Sequence, residues 1–196
     1  MFRPVFLSLI SFCLLIVSGC TSLTKTSSGT WESHQAQLQT LNRFQLSGKV
    51  GFISLKQRVS ANFVWKQDNQ NIELRLYNFS GTLLTLNTTG KETRVTDKDG
   101  TTYFGADAQS LIKRLTGINL PLNNLPGWLK GLPGQNEDFI LDSDEKVNTI
   151  TSRQPGADWT LSYPSYTNTD DIVLPSRIRM NNDSQRVKID ISDWIL

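Results

Sequence analysis

Apolar positions along this chain change their spacing four times, and each change marks a boundary. The first block, Val5 to Val17, has no period; it is a nearly continuous apolar run behind one cation, Arg3. From Trp31 to Asn42 the spacing turns helical. Trp31, Leu38 and Leu41 share one face, Ala36 lies off it, and Ser33 and Gln35 to Gln39 give polar cover, which predicts a short amphipathic helix. Past Asn42 the period drops to two. Phe44, Leu46, Val50 and Phe52 alternate with polar or small neighbours, as do Val59, Ala61, Phe63 and Trp65, then Ile72, Leu74 and Leu76, then Leu84 and Leu86. Such alternation belongs to half-buried strands, and turn-type clusters such as Gln67-Asp68-Asn69-Gln70-Asn71 separate the runs. Runs this close leave no room for a crossover helix, so consecutive strands must pair antiparallel.

Arg94-Val95-Thr96 and Thr101 to Phe104 flank Asp97-Lys98-Asp99-Gly100, a hairpin in which the Asp-Gly pair favours a tight turn. The strand pattern then breaks. Asp107 is an N-cap residue, Leu111, Ile112 and Leu115 form an apolar stripe, and Gly117 ends it. A second short helix is predicted over Leu122 to Leu129, closed by the turn Gly131-Leu132-Pro133-Gly134. Strands return at Phe139 to Leu141, Val147 to Arg153, Trp159 to Tyr163, Ser176 to Met180 and Arg186 to Ile191. The expected architecture is mainly β: an antiparallel meander of roughly ten strands, with about three short α-helices over its apolar face. So few helices cover only part of such a sheet, and the remainder can be a cavity. An open, incomplete β-barrel with a helical lid over an apolar cavity is therefore expected, a closed barrel being the competing form.

The leading apolar run is shorter than the roughly 20 residues that cross a bilayer, and with Arg3 before it has the layout of a signal peptide. It ends in Val17-Ser18-Gly19-Cys20, which resembles the bacterial lipobox, where cleavage precedes a diacylated cysteine. Three segments are expected: residues 1–19, removed; residues 20–30, a lipidated Cys20 with a Ser/Thr-rich flexible tether; and residues 31–196, a single globular domain. Cleavage removes Cys13 and acylation consumes Cys20, leaving neither a free thiol nor a disulfide. Thr21 stands where Asp would favour inner-membrane retention, so the expected location is the outer membrane, lipid-anchored and facing the periplasm.

Charge and chemistry narrow the picture by exclusion. Twenty Lys and Arg against 18 Asp and Glu give +2, or +1 once Arg3 is lost, with no basic run of the kind a nucleic-acid partner needs. One histidine and two cysteines do not make a zinc site. His34 is placed on the polar side of the first helix, without partners for nucleophilic catalysis. No Gly-rich phosphate loop with a lysine is present. Asp142, Asp144 and Glu145, and again Asp170-Asp171, lie between strands and read as solvated turns rather than as calcium ligands or a glycosidase pair. Trp31, Trp65, Trp128, Trp159 and Trp194 read as core rather than as sugar platforms. Neither an enzyme nor a bound cofactor or metal is expected.

Three stretches carry a family resemblance. The segment Leu115-Thr116-Gly117-Ile118-Asn119-Leu120-Pro121-Leu122-Asn123-Asn124-Leu125 runs into Trp128-Leu129-Lys130-Gly131-Leu132-Pro133-Gly134. The opening is Trp31…Leu41-Asn42-Arg43-Phe44-Gln45-Leu46-Ser47-Gly48, and the close is Gln185-Arg186-Val187-Lys188-Ile189…Trp194-Ile195. Together with the lipobox these resemble, in order and over essentially the whole chain, the LolB family of outer-membrane lipoprotein receptors. The resemblance implies the fold shared with the soluble carrier LolA. It also implies a monomeric receptor that takes lipoprotein acyl chains from LolA and inserts them into the inner leaflet of the outer membrane, without nucleotide hydrolysis. The family's exposed apolar loop, usually Asn-Pro-Leu-Gly, corresponds to Asn78-Phe79-Ser80-Gly81-Thr82, which has Phe instead, so the resemblance makes Phe79 and Gly81 the candidate membrane-insertion loop. Alternation and the helical stripes give a candidate acyl-chain cavity of Phe52, Phe63, Trp65, Leu74 and Leu76 on the sheet with Leu111, Ile112, Leu115, Trp128 and Leu129 on the lid. The alternative is a structural or assembly lipoprotein of the envelope with a filled core.

Overall fold

A computed structural model describes residues 30–90, 92–154 and 157–196; the expected signal peptide, Cys20 and all of the expected tether except Thr30 lie outside them. Helix α1 (Trp31–Thr40) leads into β1 (Arg43–Ser54), β2 (Arg58–Asp68), β3 (Asn71–Asn78), β4 (Gly81–Thr89), β5 (Glu92–Asp97) and β6 (Thr102–Gly105). Helices α2 (Ala108–Thr116) and α3 (Leu125–Lys130) follow, then β7 (Asp138–Leu141), β8 (Val147–Gln154), β9 (Ala157–Thr169), β10 (Ile172–Asn181) and β11 (Gln185–Ile195). All eleven strands form one sheet in the order β6-β5-β4-β3-β2-β1-β11-β10-β9-β8-β7. Neighbouring strands pair antiparallel throughout, as the short turns require. β6 and β7 are the two edges of that sheet, so the barrel is open rather than closed.

The join between the two halves of the meander is β1 against β11, where the first strand meets the last. The register there shifts between Ser47 and Gly48, leaving Ser192 as the extra residue of a bulge, and β11 continues past it to Ile195. The sequence pattern ends this strand four residues too early because the bulge breaks its alternation. Strands β9 and β10 are likewise longer than expected. Pro164 and Pro175 lack a ladder donor, and the register shifts between Pro175 and Arg177 and between Arg177 and Arg179, the second opposite Ser162–Ser165, let the strands continue past them. The second helix is shorter than the predicted Leu122–Leu129: residues 122–124 form a turn, and helix begins at Leu125 with Pro126 in its first turn.

Helix α2 has the ends its sequence specifies. Asp107 accepts from the Ser110 amide at 2.7 Å, the Ser110 hydroxyl and then this amide hold its carboxyl below the usual range, and Gly117 closes the helix at φ 73° with its N–H on Lys113 O. α2 packs on β5 and β6, whereas α1 and α3 pack on β10. One half of the barrel is filled: Phe44 lies against Trp194 with ring centroids 5.6 Å apart, and Leu38, Leu46 and Trp159 are buried.

Candidate functional site

The other half of the barrel is not filled. A cavity of about 120 Å³ lies between the sheet and the segment from α2 to α3, bordered by Val50, Phe52, Val59, Ala61, Phe63 and Trp65 of β1 and β2. Leu74, Leu76 and Leu84 continue the wall on β3 and β4, Val187 and Ile189 close it on β11, and Ile112, Thr116, Ile118, Leu120, Leu122, Leu125 and Leu129 roof it. Thr116 is the only polar residue in that lining, and its hydroxyl is already engaged, donating to Ile112 O at 2.8 Å and accepting from the Ile118 amide. Among the described residues no charged side chain lines the cavity. Val50, Val59, Leu74, Leu76, Ile118 and Leu120 border it while only half-buried, so apolar wall stays open to solvent at the mouth. The void is comparable with the ~150 Å³ apolar cavity that admits benzene. That volume is of the size of a short alkyl segment.

Of the residues singled out from sequence, Phe52, Phe63, Trp65, Leu74, Leu76, Ile112 and Leu129 border this space, while Leu111, Leu115 and Trp128 do not. Leu111 sits under the β6 edge, where a Cβ on Gly105 would meet its Cδ2 at 3.6 Å, and so fastens α2 to the sheet. Leu115 packs half-buried against the core. Trp128 points away: its Nε1–H donates to both carboxylate oxygens of Glu137, at 2.9 and 3.1 Å, and its carbonyl accepts from the Tyr163 hydroxyl. Ile118, Leu120 and Leu122 of the roof were missed, although Ile118-x-Leu120-x-Leu122 alternates and that period of two marked a non-helical apolar stretch.

The same Trp-Leu-Lys-Gly segment ties the roof to the first helix. Lys130 is buried, and its ammonium donates to Leu38 O at 2.7 Å and Leu41 O at 2.8 Å, satisfying carbonyls at the C-terminal end of α1. Burial pushes this ammonium down to about 8 from its ordinary 10.5. Between those two values the unfolded chain holds more protons than the folded one, so stability rises with pH. Tyr163 and Tyr166 act in the opposite sense. Burial raises both phenols above their ordinary 10, so beyond that pH the unfolded chain loses protons the folded chain keeps, and stability falls. Urea unfolding across the alkaline range is expected to show a stability maximum near pH 10. Lys130→Met should erase the rising limb and keep the falling one.

Phe79 and Ser80 make the two-residue turn between β3 and β4, closed by Asn78 opposite Gly81. Phe79 is 100% exposed and does not pack inward, and Gly81 has φ +125°, which L side chains rarely adopt. His34 is not on a polar face, as its residue type had indicated. It is buried with Trp31 and Leu38, and its Nε2–H donates to Val173 O at 2.8 Å. The acidic clusters shape turns: Asp142 accepts from the amides of Asp144 and Lys146, Glu145 accepts from the Trp31 amide, and Asp170 and Asp171 hold positive φ between β9 and β10. Among the described residues no group of three or more His, Cys, Asp or Glu is placed to hold a metal ion.

A family model described as "Outer membrane lipoprotein LolB" matches residues 42–194, which take in the sheet except the last residue of β11. The chain belongs to the LolB family. Among relatives called outer-membrane lipoprotein LolB, that of Serratia proteamaculans is 34% identical over 198 residues, covering 97% of this chain and 96% of its own. That of Klebsiella pneumoniae subsp. pneumoniae is 35% identical over 196 residues, covering 96% and 97%. Membership makes this chain an outer-membrane lipoprotein of the lipoprotein-localisation machinery. Solved structures agree on the fold. A LolA-superfamily protein from Nitrosomonas europaea superposes with a TM-score of 0.56 at 14% identity, over 86% of this chain and 94% of that one. A putative outer membrane lipoprotein-sorting protein domain from Vibrio parahaemolyticus gives 0.54 at 9% identity, over 84% and 89%. The cavity of this chain is thus carried on a fold like that of the LolA-superfamily protein.

Proposed function

We propose that this protein accepts the acyl chains of lipoproteins from a LolA-type periplasmic carrier and releases them into the outer membrane. The observation that carries the reading is the cavity itself: a wall without charge, six of whose apolar residues stay half-exposed at the mouth. Three acyl chains of about fourteen buried CH₂ groups each represent roughly 30 kcal/mol of transfer from water, so a lipoprotein needs an apolar shelter to cross the periplasm. A void of about 120 Å³ holds only part of one chain, so the roof between α2 and α3 moves aside during loading. Few polar anchors also means a weak hold, which suits a receptor that passes its ligand on down an affinity gradient.

Cys20 carries the acyl anchor that keeps the receptor at the acceptor membrane and raises its effective concentration there. Phe79, held outward by the turn that Gly81 permits, enters the bilayer during release. The test is transfer of an acylated lipoprotein from the carrier to this protein, followed by its delivery to liposomes. Phe79→Glu is expected to leave the first step unchanged and slow the second about tenfold or more, since burying a phenylalanine is worth about 1.5–3 kcal/mol. Equal delivery by both proteins would remove Phe79 from the mechanism, and failure of the first step with the parent protein would refute the receptor reading.

A further inference from the structure

A second apolar side chain is as bare as Phe79. Leu55, in the turn between β1 and β2, is 98% exposed. In an antiparallel meander every second turn falls at the same end, so the β1–β2 turn and the β3–β4 turn share one end of the sheet. The cavity lies toward that end, since its lining on β1, β2 and β11 comes from Val50 onward, from Val59 onward and from Val187 and Ile189. The β1–β2 turn is part of the rim: Gln57 Nε2 donates to Thr116 O at 3.0 Å, joining the turn to the last residue of α2. The turn is also shaped to hold Leu55 out, because the Ser54 hydroxyl accepts from the amides of Lys56 and Gln57 behind it.

We propose that the β1–β2 turn is a second bilayer-contacting prong, with Leu55 entering the acyl layer beside Phe79 so that the cavity mouth is seated on the lipid surface. This rests on the receptor reading above and adds the orientation of the barrel. Charge complements an anionic phospholipid surface. Among the described residues, Lys56, Arg58 and Arg186, with Lys113 and Arg114 in the last turn of α2, are exposed at this end and make no ion pair, and Lys98 pairs with Asp99; the other acids there are Asp97, Asp158 and Asp183. Chain length fits too. The domain starts at the opposite end, where the Trp31 amide bonds Glu145 in the β7–β8 turn. The ten residues 21–30 reach at most about 35 Å when extended, and a barrel with strands of this length stands roughly 30 Å tall. A lipid on Cys20 and the two prongs can therefore sit in one leaflet.

The test uses the full lipidated chain in vesicles of phosphatidylethanolamine and phosphatidylglycerol. A polarity-sensitive dye is placed singly through Leu55→Cys, Phe79→Cys or Gln70→Cys, the last being in the β2–β3 turn at the opposite end. Acyl-brominated lipid is expected to quench the dye at 55 and at 79 and to spare it at 70. Leu55→Glu, a change that disturbs no packing, should lower the inserted fraction of the dye at 79 roughly tenfold, whereas Leu55→Phe should not. Quenching at 79 without quenching at 55 overturns the inference and leaves the receptor reading intact, as does failure of both dyes in a protein that still takes cargo from the carrier. If cargo is refused as well, the receptor reading falls with it. Shielding of the dye at 55 by the carrier alone, in the absence of lipid, overturns the inference in favour of a protein-docking turn.

Discussion

Ala61→Phe should cost the protein its uptake of alkyl ligands while leaving it folded. Ala61 lies on β2 opposite Val50, and both side chains border the cavity. A phenyl ring placed there enters empty space rather than packed atoms. Saturable binding of a fluorescent fatty-acid probe is expected to weaken tenfold or more, and carrier-to-receptor transfer to fail with it. Unfolding free energy should stay within about 1 kcal/mol of the parent, because adding atoms to a void gains contacts. A structural lipoprotein with a filled core predicts the reverse. In a packed interior the added ring overfills the site and destabilises by about 1–3 kcal/mol, with no probe binding to lose. Measuring both quantities on one variant separates the two readings.

Why part of the sheet wall of this cavity could be read from the chain, and much of its roof could not, follows from how each is built; Val50, Val59, Ala61, Leu84, Val187 and Ile189 of the wall were not singled out. On a strand, burial repeats every second residue, so Phe52, Phe63, Trp65, Leu74 and Leu76 announce a common face before any partner is known. On α2 an apolar stripe wraps a cylinder wedged between the sheet edge and the void. Adjacent members of the stripe part company: Ile112 borders the cavity and Leu111 lies under β6. No local rule separates them. His34 shows a different limit. It falls three residues after Trp31 and four before Leu38, squarely on the helix's apolar stripe, and only its residue type argued for solvent. Lys130 lies within the Trp-Leu-Lys-Gly segment, yet its role depends on carbonyls 92 and 89 residues away in sequence, which no spacing encodes. That the barrel is open was expected from the few helices available to cover so many strands, but which strands form its edges, β6 and β7, was not legible. Strand count is local, whereas closure depends on whether the first and last members of the sheet order meet.

Gly48→Ala should destabilise the fold by roughly 3 kcal/mol, a fall in melting temperature of about 6–12 °C for a domain of this size. A Cβ at this position would stand 2.1 Å from Asp190 O and 2.9 Å from Ile191 Cα, both of them backbone atoms of the neighbouring strand that cannot rotate aside. Relief requires β1 and β11 to separate, and these strands are the seam between the N-terminal and C-terminal halves of the sheet. The bulge beside Gly48 also sets the phase of the end of β11, from which Trp194 packs on Phe44 and donates its indole N–H to Pro175 O at 3.0 Å. Gly51 supplies the control. It lies three residues along the same strand, and its added Cβ would meet nothing nearer than Lys188 Cβ at 4.0 Å. Gly51→Ala should therefore be neutral or slightly stabilising, since alanine leaves the unfolded chain less freedom than glycine. Calorimetry of the two variants side by side isolates the close approach from glycine chemistry in general; equal melting temperatures would show that the seam yields, and that the barrel does not depend on its tight packing at the bulge.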